Sequence, residues 1–181
     1  MGYIFCIPYF FERHQVSMCK IYKYLYKLNT ARIVLLGIFL ALIVNIFFIS
    51  IGSVLGLINE DSNINEYETN IKGFMLIVIL GPFFETIVFQ YVPLKIAGLF
   101  IKGKLHVLYW TIICASTLFG LLHGDLILYT LIAFFYGLIW MCCCFLLIRK
   151  KQHPVLFTWL IHACYNGLLF GLTHILTLSE I

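Results

Sequence analysis

Five long apolar stretches constrain this chain more than any other feature of its sequence. They run from about residue 33 to 57, 74 to 92, 107 to 122, 126 to 148 and 155 to 178. A helix needs about 20 residues to cross about 30 Å of hydrocarbon. Only helices and closed barrels satisfy their backbone in lipid, and these stretches are continuous rather than alternating. The sequence therefore predicts an all-α, polytopic membrane bundle of about five transmembrane helices.

The composition agrees with a membrane protein. Hydrophobic residues make up 62% of the chain and charged residues 11%, whereas a soluble domain carries about 25% charged residues. Too little polar surface remains to coat a water-exposed globule, which excludes a soluble enzyme, a nucleic-acid-binding protein and a disordered linker. The lipid bilayer is the expected surroundings, and no nucleic acid partner is expected.

The basic residues predict how the chain is oriented. Eleven of the twelve Lys and Arg residues precede the first apolar stretch, or lie between the second and third or between the fourth and fifth. The positive-inside rule therefore places the N-terminus in the cytoplasm and the C-terminus outside. Residues 1–32 form a basic leader, which is either an interfacial anchor or a solvated segment. Residues 33–181 form a single transmembrane domain.

Ionisable side chains inside the apolar stretches are the candidates for function. A charged group at the centre of a membrane helix costs about 2.5–3.5 kcal/mol on insertion scales and is usually functional. Glu85 has no Lys or Arg within one helical turn, so it is suited to act as a general base. The alternative is a structural carboxyl bonded to a neighbouring helix. Pro82 lies one turn earlier and predicts a kink that could admit water.

Two histidines accompany this glutamate. His123 is spaced four residues from Phe119, and His162 is spaced four residues from Asn166, so each pair shares a helix face. Polar groups of this kind, with no Lys or Arg among them, predict one polar cavity within the membrane. Glu85 and His162 have similar predicted depths, but His123 lies nearer the outer face. A turn that dips into the protein interior would bring it to the other two.

These residues carry a family resemblance. The segments FETIVFQ, FGLLH and HACYN, in that order, resemble the EExxxR, FxxxH and HxxxN motifs of the CPBP family of intramembrane proteases. That family includes CAAX prenyl endopeptidases and the bacteriocin-processing and self-immunity proteins, also called the abortive-infection family. The resemblance covers about residues 74–172. It implies that Glu85 and His123 activate a water for attack on a peptide bond, and that His162 and Asn166 stabilise the oxyanion.

Two positions depart from the family motif. Thr86 stands where the second glutamate would be, and Gln90 stands where the arginine would be. We expect them, with Phe119, to support the site. Thr86 cannot act as a second base, so the sequence also allows a catalytically impaired family member that acts as a membrane immunity or scaffold protein. A small proton-coupled carrier is a third hypothesis, although no internal repeat is visible.

The same side chains could bind a metal. Glu85, His123 and His162 would make a three-ligand zinc site with an open position. The chain has no HExxH motif, and a mechanism without a cofactor is favoured. Neither Ser116 nor Cys164 is obviously paired with a base, so a covalent mechanism is not expected. The expected substrate is a peptide or protein, lipidated or membrane-associated, and the expected location is the cytoplasmic membrane of a prokaryote.

Overall fold

The computed structural model describes residues 20–57, 70–100, 105–124 and 126–179. These residues form helices and no strand, which confirms the predicted all-helical class. In chain order the helices are α1 (Lys20–Lys27), α2 (Thr30–Val54), α3 (Ile71–Phe100), α4 (Leu105–Leu121), α5 (Ile127–Arg149) and α6 (Pro154–Ser179). Most of the predicted leader, residues 1–19, lies outside the described residues. The acidic segment between α2 and α3 lies outside them too.

Four of the helices are long and apolar enough to cross a membrane, namely α2, α3, α5 and α6. The chain is therefore a multi-pass helical membrane protein. The third predicted crossing forms α4, which has 17 residues and is about 25 Å long. It is short because charged residues, Lys104 and Asp125, bound its apolar stretch. The predicted orientation depends on five crossings and stays a prediction.

Helix α3 is irregular on both sides of Glu85. Two π-helical segments, Met75–Leu80 and Thr86–Tyr91, flank the short α-helical segment Gly81–Glu85. A proline follows each π-helical segment, at positions 82 and 93. Proline has no N–H to donate, so the regular ladder of helical hydrogen bonds is interrupted at both places. π-Helical turns often occur at functional sites, and here they enclose the candidate base.

Helix α5 lies at the centre of the bundle and contacts α2, α4 and α6. A hydrogen-bonded group of polar side chains links three of these helices. The hydroxyl of Tyr136 on α5 donates to Oδ1 of Asn45 on α2 at 3.0 Å, and it is also hydrogen-bonded to the hydroxyl of Tyr165 on α6. Each hydroxyl has one proton, so Tyr165 donates to Tyr136. The network fixes three helices relative to one another inside the membrane.

Helices α4 and α5 approach closely because glycines stand where they cross. A Cβ added at Gly120 would lie 2.7 Å from the carbonyl oxygen of Thr130, and one added at Gly137 would lie 3.0 Å from Cα of Ser116. Small residues allow such close backbone approach between membrane helices. The crossing determines where the turn after α4 lies, and with it His123.

We expect Gly120→Ala to lower the thermal unfolding midpoint of the purified protein. The new methyl group would meet backbone rather than a flexible side chain, and such overpacking costs about 1–3 kcal/mol. The matched control is Gly171→Ala on α6, where an added Cβ meets nothing within 4 Å. This control should unfold at the same temperature or slightly higher, because Ala favours helix over Gly. Equal destabilisation by both variants would contradict the proposed close crossing.

Candidate active site

Side chains from three parts of the bundle meet at one carboxylate. Glu85 projects from α3, His123 from the turn after α4, and His162 from α6. Nε2 of His123 lies 3.4 Å from Oε2 of Glu85, and Nε2 of His162 lies 3.6 Å from the same oxygen. The structure thus brings together the three ionisable groups that the sequence singled out. These distances exceed an ordinary hydrogen bond, as is common in catalytic sites without substrate.

The three groups differ in their access to the surroundings. The side chain of His162 is 3% exposed, whereas those of Glu85 and His123 are 27% and 33% exposed. His162 therefore forms the inner wall of the site. The carboxylate and the imidazole of His123 form its open side, where a substrate could approach.

The position of His123 follows from a local hydrogen bond. Helix α4 ends at Leu121, and the imidazole of His123 turns back so that its Nδ1 lies 2.7 Å from the carbonyl oxygen of Phe119. Its ring also packs against the Phe119 ring, with a centroid separation of 4.0 Å and an interplanar angle of 31°. A carbonyl can only accept, so Nδ1 carries a proton and Nε2 faces the carboxylate. The pair of His123 and Glu85 is therefore placed to share one proton.

His162 is oriented differently, by ring stacking. Its imidazole lies on the indole of Trp140 with a centroid separation of 3.7 Å and an interplanar angle of 26°. Its Nδ1 has no hydrogen-bond partner within the described part of the chain. Trp140 was not predicted from the sequence. Its place in the middle of a membrane helix could have indicated it, since tryptophan usually lies at the membrane–water interfaces.

Asn166 supports the irregular part of α3. Its side-chain Nδ2 donates to the carbonyl oxygen of Ile77 at 2.9 Å. That carbonyl has no regular helical donor, because the N–H of Gly81 is bonded to Leu76 and Pro82 has no N–H. The structure therefore places Asn166 at the π-helical segment before Glu85. An amide has two N–H groups, and the bond to Ile77 uses one of them.

Thr86 and Gln90 lie on one face of α3 and are 0% exposed. Oγ1 of Thr86 and both polar atoms of the Gln90 amide have no hydrogen-bond partner among the described residues. These positions correspond to the second glutamate and the arginine of the family motif. A charged pair at the same place would be completely removed from water. The chain instead carries two neutral polar side chains there.

The zinc hypothesis can be compared with this geometry. A zinc site needs ligand atoms placed about 2.0–2.1 Å from one metal ion. In the ranges that the structure describes, no group of three His, Cys, Asp or Glu side chains could hold a metal ion. The arrangement is that of two imidazoles around one acceptor. Zinc binding by Glu85, His123 and His162 stays an untested alternative to a site without a cofactor.

An apolar groove of about 440 Å³ lies between α3 and α6. Its wall includes Phe83, two residues before Glu85, and Trp159, three residues before His162. The indole N–H of Trp159 donates to the carbonyl oxygen of Ile79 at 3.0 Å, which holds its ring in place. The volume falls in the range of small-molecule pockets, about 300–1,000 Å³. The groove can accept an apolar group, and none of Glu85, His123 and His162 is among the residues that line it.

Comparison with known proteins gives one family. The family model described as "Type II CAAX prenyl endopeptidase Rce1-like" matches residues 68–168, which include Glu85, His123, His162 and Asn166. Searches of the curated proteins and of the solved structures gave no match.

Proposed function

The chain belongs to the Rce1-like family of type II CAAX prenyl endopeptidases, and we propose that it is an intramembrane endopeptidase that hydrolyses a peptide bond. The observation that carries the proposal is the meeting of Glu85, His123 and His162 at a single carboxylate oxygen. A carboxylate and an imidazole at such a distance can move a proton to and from a reacting group. The family is a protease family, which agrees with this chemistry.

The proposed reaction begins with a water at the open side of the site. Its oxygen attacks the peptide carbonyl carbon while its proton passes to the Glu85 carboxylate, which shares protons with His123. The resulting tetrahedral intermediate carries the negative charge on the former carbonyl oxygen. As the C–N bond breaks, the Glu85–His123 pair returns the proton to the leaving nitrogen. No serine, cysteine or metal takes part in these steps.

His162 and Asn166 are proposed to stabilise the oxyanion. Nε2 of His162 lies at the inner wall beside the carboxylate, and the proposed second donor is the N–H of Asn166 that is not needed for the bond to Ile77. Removing one such donor typically costs about 10²–10³-fold in rate. Asn166 has the further effect of holding α3, so the loss of this side chain should affect both the oxyanion and the position of Glu85.

The proposed substrate is a membrane-associated peptide or protein, including lipidated ones. The groove between α3 and α6 supports this, because its aromatic wall suits an apolar group. The proposed location is the cytoplasmic membrane of a prokaryotic cell. Lipid and substrate are the proposed partners, without nucleic acid and without a required cofactor.

We expect a search for new peptide termini to identify the substrate. Membrane fractions from cells that express the protein should contain N-termini that are missing when the cells express a His123→Ala, His162→Ala double variant. Both proteins must reach the membrane in equal amounts and unfold at similar temperatures. Identical sets of termini from the two samples would contradict the peptidase proposal.

A second function is favoured by one observation. Thr86 and Gln90 are neutral and fully buried where the family motif has charged residues. A catalytically impaired family member could act as a membrane immunity protein, for example against bacteriocins, or as a scaffold. In that case the His123→Ala, His162→Ala variant would still protect the cell, whereas changes to exposed loops would remove the protection.

A further inference from the structure

We infer that Trp140 is a positioning residue that holds the imidazole of His162 against Glu85. The inference rests on the proposed function, because it assigns the orientation of a side chain in that site. Its main observation is the stack between the two rings, with a centroid separation of 3.7 Å and an interplanar angle of 26°. The two residues come from different helices, α5 and α6, so this contact exists only in the folded bundle.

The two histidines of the site are held by different means. A hydrogen bond from one ring nitrogen usually fixes the direction of the other, and His123 has this bond through Nδ1 to Phe119. His162 lacks it among the described residues, because its Nδ1 has no partner. Rotation of the His162 ring out of its plane would move Nε2 away from the carboxylate. The indole face of Trp140 opposes that rotation and so replaces the missing hydrogen bond.

Trp140 is itself fixed by its neighbours. Its side chain is 1% exposed, and it stacks on Tyr136 at 5.5 Å and meets the ring of Phe119 at an angle of 79°. Tyr136 is held in turn by its hydrogen bond to Asn45. These contacts connect the inner wall of the site to α2, although α2 contributes none of the three residues that meet at the Glu85 carboxylate. The indole acts through His162 and does not touch the reacting atoms.

Kinetic measurements test the inference first. Trp140→Phe retains a ring that can stack, whereas Trp140→Leu and Trp140→Met retain apolar bulk without a ring. We expect kcat to fall by about 10- to 100-fold in the two ringless variants, the size of effect that a misplaced catalytic group produces, with KM changed less than kcat. Trp140→Phe should keep most of the activity. The control is Trp110→Leu, since the Trp110 side chain is 63% exposed on α4.

A second measurement does not depend on activity. With ¹⁵N-labelled histidine, the Nε2 signal of His162 should shift when Glu85 is changed to Gln, because the two side chains are adjacent. We expect the same Glu85→Gln change to leave the signal unmoved when the protein also carries Trp140→Met. An equal shift in both backgrounds would overturn the inference, whether or not the protein cleaves peptides. If the shift depends on Trp140 but no cleavage is found, the orientation stands and the proposed peptidase activity fails.

Discussion

Glu85→Gln is expected to reduce peptide-bond cleavage by about 10²–10⁴-fold, the contribution of a general base. Glutamine has nearly the same shape but cannot accept the proton of the attacking water. The substitution should leave the fold intact, because the side chain is at the open side of the site and is 27% exposed. The measurement is the initial rate of cleavage of the identified substrate by purified protein in lipid vesicles.

Two further variants serve as controls for this prediction. Ser116→Ala and Cys164→Ala remove the serine hydroxyl and the thiol nearest in sequence to the histidine motifs, and they should retain the rate of the unchanged protein. Loss of cleavage in either control would favour a covalent mechanism over an activated water. A Glu85→Gln protein that cleaves at the normal rate would exclude Glu85 as the base.

Thr86→Glu is expected to destabilise the folded protein strongly, on the order of 3–5 kcal/mol, because it places an unpaired charge in a fully buried position. Adding Gln90→Arg should recover much of this loss, since Thr86 and Gln90 are one helical turn apart and the new charges would pair. The measurement is a double-mutant cycle of unfolding free energies in one detergent. The two single variants and the double variant are compared with the unchanged protein.

The matched control for this cycle is Gln90→Leu. It replaces a buried amide that has no hydrogen-bond partner within the described residues by an apolar side chain, and it should be neutral or stabilising. Additive effects of Thr86→Glu and Gln90→Arg would show that the two positions do not contact each other. Increased cleavage by the double variant would indicate that the natural residues limit the activity, as the second proposed function supposes.

The sequence predicted the four long apolar helices α2, α3, α5 and α6 because continuous apolar stretches have few alternatives in lipid. It also singled out Glu85, His123 and His162, since ionisable groups are rare where they are costly. The π-helical segments of α3 were not predicted, although Pro82 indicated a kink. A proline in the sequence shows where a helical hydrogen bond is missing. It does not show whether the neighbouring turn stays α-helical or becomes π-helical.

The aromatic part of the site could not be predicted for a different reason. Trp140 and Tyr136 lie in an apolar stretch where any large side chain is compatible with packing. Their importance depends on which residues of α6 and α2 lie opposite them, and this is a property of the assembled bundle. Asn45 was overlooked in the same way, because a single amide in α2 gives no indication of its partner.

The bond between Asn166 and Ile77 bears on how the chain is made. Helix α6 leaves the ribosome after α3, so a newly inserted α3 would expose the carbonyl of Ile77 to hydrocarbon until α6 arrives. An unsatisfied backbone group in lipid costs several kcal/mol, so this part of α3 is less stable until α6 has inserted. The π-helical turn before Glu85 would then be fixed only after α6 has been made, so the nascent chain would acquire its reactive carboxylate geometry later than α3 itself.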